Sequence, residues 1–187
     1  MPRFIVLALA LGVASSFSLS SAWAESMLSA GEIKTLHDKA ENDDLKAQSE
    51  LAKRYFKGDG VEQDHNQAAH WYKKLAEKEV MDAQLTLGLM YIRGNGVEKD
   101  DTKAIHWLTL AAEHRMPTAQ YLLGVAHQEG HGVSRDLTKA YMWYEIAASL
   151  EYKDASDAQA LLAKQLTAAD INHAEQLANE WWMRFHH

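Results

Sequence analysis

The stretch Leu87–Glu113, LGLMYIRGNGVEKDDTKAIHWLTLAAE, decides how the rest of the chain is read. Displaced by 36 residues in either direction, it falls on a near-copy of itself. Gly58, Gly94 and Gly130 coincide, as do Gly60, Gly96 and Gly132, and Val61, Val97 and Val133. Asp64, Asp100 and Asp136 follow in step, then Ala68, Ala104 and Ala140, then Trp71, Trp107 and Trp143. No insertion interrupts the spacing. A fixed period of this length marks a solenoid of stacked supersecondary units, each too small to bury its own apolar face.

The logic within one unit is local. Ala83, Leu87, Gly88 and Tyr91 recur at helical spacing and define a first helix with one apolar face. Gly94-Asn95-Gly96 then stops it, because glycine accepts the positive φ that ends a helix and turns the chain. Val97 packs under the turn, and Asp100 is placed to cap the orphan N–H groups of a second helix. That helix carries Ala104, Trp107, Leu108 and Ala111 on its buried side, with Trp107 in the central unit covered by neighbours on both faces. The small residues Ala52, Gly88 and Gly124 let the paired helix come close.

The pattern AQ-x-x-LG-x-x-Y-x-x-G-x-GV-x-x-D-x-x-KA-x-x-W-x-x-x-AAE resembles the Sel1-like repeat, a relative of the tetratricopeptide repeat. It covers Leu45 to about Tyr152 in three full copies, with a half-copy in front over Glu32 to Asp43 and a partial fourth from Ala155. The resemblance implies an all-α, right-handed α-solenoid of helical hairpins, closed by a capping helix at each end. The chain departs from the family where glycine usually ends the second helix, since Asp43, Glu79, Arg115 and Glu151 stand there. A non-glycine residue in a left-handed cap costs up to about 1 kcal/mol. Corners of a different build are therefore expected.

The opening residues read as an address. Arg3 supplies a positive end, Phe4 to Ala14 an apolar run of 11 residues, and Ala22-Trp23-Ala24 a small-x-small cleavage site. The run is well short of the ~20 residues that span a bilayer. With no cysteine in the chain, lipidation of a cysteine at the cleavage site is excluded. The expected organisation is a signal peptide over 1–24, an N-terminal capping helix over 25–43, three repeats over 44–152, and a partial fourth repeat with the C-terminal capping helix over 153–187. Ser29 with Glu32 forms a capping box for the front helix. Thr167 with Asp170 repeats that signal before a last helix through Ile171, Ala174, Leu177, Ala178 and Trp181.

The full chain carries a net charge of −7 with histidines neutral, and the leader contains a single ionisable residue, Arg3. The acidic balance argues against nucleic acid and against a general anionic membrane surface, and it suits a basic protein partner. An exported domain without disulfides is held by its core alone. The repeated Trp and Tyr supply that core, since large aromatics bury the most area.

No site chemistry emerges. His127 and His131 stand four apart in HQEGH, but the glutamate is misplaced for a metalloprotease helix and Gly130 ends the helix before His131. No third ligand is implied, so neither a metal nor another cofactor is expected. His70 and His106 recur beside the tryptophans, while Met142 takes the third position, which points to half-exposed helix residues. There is no glycine-flanked serine at a strand-to-helix turn, and the Gly-x-Gly elements follow a helix instead of a strand. The chain is not expected to be an enzyme.

The positions that change from copy to copy are more informative. One stripe on the first helices reads Ser49, Lys53 and Phe56, then Leu85, Leu89 and Ile92, then Tyr121, Val125 and Gln128. In helical-hairpin solenoids the first helices line the concave face, and an exposed apolar patch there marks a partner surface. Packing between neighbouring first helices is the competing account for Leu85 and Tyr121. The expectation is a monomeric scaffold in the periplasm, where the leader sends it, that binds another protein with no stable membrane insertion, and the resemblance implies adaptor or regulatory roles in the envelope. It also implies two alternatives. One is an immunity protein neutralising a toxin delivered to the periplasm, such as a phospholipase effector. The other is a cell-wall or β-lactam-related enzyme, against which the absence of the cysteines found in such relatives counts.

Overall fold

The computed structural model describes residues 29–185, which leaves the proposed leader and the final two histidines outside it. Among the described residues the regular structure is helical. Helix α1 (Ala30–Glu41) leads into three hairpins, α2 (Leu45–Lys57) with α3 (His65–Glu77), α4 (Met81–Arg93) with α5 (Asp101–Glu113), and α6 (Pro117–Glu129) with α7 (Leu137–Ser149). Helix α8 (Lys153–Leu162), a short 3-10 turn (Ala163–Gln165) and α9 (Ala168–Phe185) follow. From α1 to α8 each helix packs on its predecessor, and α9 folds back onto α7. The architecture is a right-handed α-solenoid.

Each hairpin is built by the residues that repeat. The first helices end at Gly58, Gly94 and Gly130, all left-handed, with φ of 74°, 69° and 79°. The second helices start at Asp64, Asp100 and Asp136, whose carboxylates accept from backbone N–H groups of the first turn. Close pairing rests on small residues. A Cβ added at Gly124 would lie 2.5 Å from the Tyr144 ring, and one at Gly88 would lie 3.0 Å from Leu108.

The corners between hairpins differ from expectation. Asp43, Glu79, Arg115 and Glu151 all keep a left-handed backbone, with φ between 60° and 66°. Hydrogen bonds explain how side chains other than glycine are held there. Val80 N donates to Leu75 O and Glu79 N to Ala76 O, both at 3.1 Å, and the other corners repeat this pair. A buried glutamine then ties the next unit to the same turn. Gln48, Gln84 and Gln120 donate through Nε2 to the carbonyls of Ala40, Ala76 and Ala112 at 2.8, 3.4 and 3.2 Å. Each such bond contributes roughly 1 kcal/mol net, enough to offset the left-handed conformation.

The core forms two clusters that divide inside the middle hairpin, its first helix contributing buried residues to one and its second helix to the other. Leu51, Trp71, Leu75, Leu87 and Met90 belong to the first, and Leu108, Leu123, Trp143, Tyr144 and Ile146 to the second. The end helices complete them, Ala40 of α1 in the first and Trp181 of α9 in the second. The expectation that Trp107 is enclosed on both faces is corrected. Trp71 and Trp143 are 1% and 8% exposed, whereas Trp107 is only half-buried. Trp71 lies against His37 of α1 and Trp143 against Trp181 of α9, so the end helices supply the cover.

Candidate functional site

The copy-to-copy stripe of the first helices divides into parts with different surroundings. Phe56 packs on the first core cluster, its ring 5.3 Å from His65 and 6.2 Å from Tyr72. Leu85, Ile92, Tyr121 and Val125 pack against the second cluster. Tyr121 sits 5.6 Å from the Tyr144 ring and 5.4 Å from that of Tyr152. Gln128 is half-buried and accepts a hydrogen bond from the Tyr144 hydroxyl at 2.7 Å, and burial raises the pKa of that hydroxyl. Ser49 is half-buried and Lys53 exposed. Leu89 is half-buried, one turn before Ile92, and belongs to neither cluster.

Ile92 and Val125 also wall an apolar cavity of about 190 Å³ between the second and third hairpins. Ala104, Ile105, Leu108 and Leu122 complete the walls, and Lys99, Asp101 and His131 add polar groups. The polar groups have partners within the chain. Lys99 lies 3.8 Å from Asp101, and His131 lies 3.2 Å from Glu129. The site is therefore shaped for an apolar group. Val125 lines it directly, while Leu89, at the same repeat position one first helix earlier, lies outside its lining on the helix that carries Ile92.

The histidines of HQEGH are in different environments. His127 is half-buried, and desolvation holds its pKa below the usual imidazole value. His131 is exposed on the loop. Among the described residues no three His, Asp or Glu side chains form a metal-binding group, and no helix is long and apolar enough to cross a membrane. Sequence reasoning assigned no role to Gln48, Gln84 and Gln120. Their recurrence at the 36-residue period was the signal that could have found them.

The Sel1 repeat family model matches residues 45–80, 82–115 and 117–152. Among curated proteins there is no match. A solved structure of a protective antigen present in uropathogenic Escherichia coli strains, displaying an SLR fold, is similar at 32% identity with a TM-score of 0.72. The similarity covers 82% of this chain and 33% of that one, so this chain spans about a third of that antigen's length. The Sel1 repeat protein from Oxalobacter formigenes is similar at 39% identity and a TM-score of 0.60, over 68% of this chain and 96% of that one. Sel1 repeats generally mediate protein–protein interaction, and their solenoid is typically a non-catalytic scaffold. With three consecutive matched repeats, each built as a helical hairpin, the chain belongs to the Sel1 repeat family.

Proposed function

We propose that the chain is an exported envelope scaffold of the periplasm whose first helices hold another protein. The observation that carries this reading is the apolar cavity walled by Ile92 and Val125, with Leu89 on the same helix face. Pockets of this kind take the single apolar anchor that dominates many protein interfaces. Lys53, Phe56, Leu85, Tyr121 and Gln128 continue the stripe beyond the anchor site and contribute shape more than affinity. Export rests on the leader pattern ending in Ala22-Trp23-Ala24. An effector toxin as the captured protein would make the scaffold an immunity protein, and an envelope component would make it an adaptor.

Leu89→Asp is the test. Because Leu89 lies outside both core clusters, the variant is expected to keep its helical circular dichroism and melt within a few degrees of the wild type. Capture of partner from periplasmic extract should fall by at least about tenfold, since the new carboxylate would be desolvated at the interface. Protein recovered by osmotic shock in the same experiment should begin at Glu25. Undiminished capture by Leu89→Asp would remove the stripe as the binding surface. An intact Met1 with carbonate-resistant membrane attachment would remove the periplasmic assignment.

A further inference from the structure

Helix α5 carries a second groove on the face opposite the cavity. Ala104, Ile105 and Leu108 line the cavity, whereas Trp107, Leu110 and Glu113, about half a helical turn away, line a groove of about 480 Å³. Phe185 at the end of α9 forms one side of it, and Glu77 and Glu79 at the preceding corner form another. His106 and His114 are the remaining titratable groups along it, and no Lys or Arg lines it.

The repeat itself shows what is missing there. At the first inter-unit corner, Lys74 bridges Glu41 at 2.8 Å while its Nζ lies 4.7 Å from the Trp71 ring centre, and Lys78 pairs with Asp43. Moved forward by 36 residues, the acids persist as Glu77 and Glu79 and the ring as Trp107. Both lysines are gone, replaced by Leu110 and His114. Glu77 retains one loose neighbour, Lys73 at 3.9 Å, with both side chains more than half exposed. Trp143 also lacks the lysine, Ile146 standing in its place, but it is buried, so Trp107 is the repeat tryptophan left half-buried with no lysine over it. An aromatic floor rimmed by acids without their lysines is complementary to an apolar residue flanked by cations.

We propose that this groove docks a basic segment of a partner protein, its apolar residue on Trp107, Leu110 and Phe185 and two Lys or Arg side chains on Glu77 and Glu79. The spacing of Lys74 and Lys78 sets the geometry, two cations one helical turn apart. The groove lies on the opposite face of α5 from the Ile92–Val125 cavity, so its occupancy is independent of the first-helix stripe.

The test uses fluorescence anisotropy of a short labelled helical peptide with one leucine between two lysines a turn apart, and of its glutamate counterpart. Wild-type protein is expected to bind the lysine peptide and not the glutamate peptide. Leu110→Lys restores the pattern of the first corner, supplying the cation from within, and should weaken binding by at least about tenfold. Glu79→Gln, at an exposed corner position, should weaken it as well and guards against a folding defect in the first variant. Asp157→Asn makes the same unit change in net charge on the distant exposed surface of α8 and should leave binding unchanged. Equal weakening by Asp157→Asn would reduce the effect to overall charge and overturn the proposal. So would absence of binding, or equal binding of the glutamate peptide. A wild-type dimer that Leu110→Lys dissociates would assign the groove to a second copy of the chain and would likewise overturn it.

Discussion

Gly96→Ala is expected to destabilise the protein by about 4 kcal/mol, combining a left-handed penalty of about 1 with overpacking near the upper end of its range. A Cβ at this position would stand 1.8 Å from the His65 carbonyl oxygen and 2.2 Å from its carbon. Both are backbone atoms at the start of α3, so no rotamer change relieves the overlap. The loop of the second hairpin must lift off the first, and the stack opens at that joint. Gly94 is an internal control. Its φ of 69° equals that of Gly96, yet an added Cβ there would meet Lys99 Cβ at an ordinary 3.5 Å. Gly94→Ala should therefore cost only the conformational penalty of about 1 kcal/mol. Urea unfolding of both variants checks this, and equal losses would show that loop stacking does not determine the need for glycine at position 96.

Trp71→Ala is expected to cost about 3–5 kcal/mol, through lost burial and the cavity left behind. The side chain is 1% exposed and is enclosed by α1 and by its own helix, with the His37 ring centre 5.8 Å away. Trp107→Ala, at the same repeat position, should cost clearly less, about half as much, because part of the ring already faces water. The ordering is the opposite of what the repeat alone suggests, in which the central unit is the most enclosed. Thermal melts of the two variants decide it. A larger loss at Trp107 would mean that the end helices do not provide the cover described for Trp71.

The contrast between the tryptophans shows what was legible in the chain before its structure. The 36-residue period predicted the helical hairpins, the glycine stops and the aspartate caps, because each depends on residues a few positions apart. The close approach at Gly88 and Gly124 was legible for the same reason. That Trp71 and Trp143 are more buried than Trp107 was not, since this depends on how closely α1 and the return of α9 to α7 cover the two ends. The corners illustrate a different limit. Asp43, Glu79, Arg115 and Glu151 read as departures from a left-handed cap, yet the turn persists because backbone bonds, and a buried glutamine at three of the corners, hold it. Local propensity was outweighed by hydrogen bonds made to the neighbouring unit.

The candidate stripe was legible only as a set of variable positions. Variation from copy to copy does not distinguish a residue that packs beside a dissimilar neighbour from one that faces a partner. Leu85 and Tyr121 turn inward to the second cluster, Ile92 and Val125 wall a cavity, and Leu89 stands outside both clusters. The cation-deficient groove was recoverable from the repeat in principle, by comparing Lys74 and Lys78 with Leu110 and His114. Its meaning depends on the Glu41–Lys74 and Asp43–Lys78 pairs, which require coordinates.

The claim that the first-helix face holds another protein is tested most directly by photocrosslinking in cells. A photoreactive phenylalanine analogue placed at Leu89 should yield a discrete adduct with one envelope protein. The same analogue at Asp157, exposed on α8, should yield none. Mapping the adduct should locate an apolar residue of the partner beside the Ile92–Val125 cavity. No adduct from Leu89, with a discrete adduct from Asp157, would contradict the account and place the binding surface on another face of the solenoid.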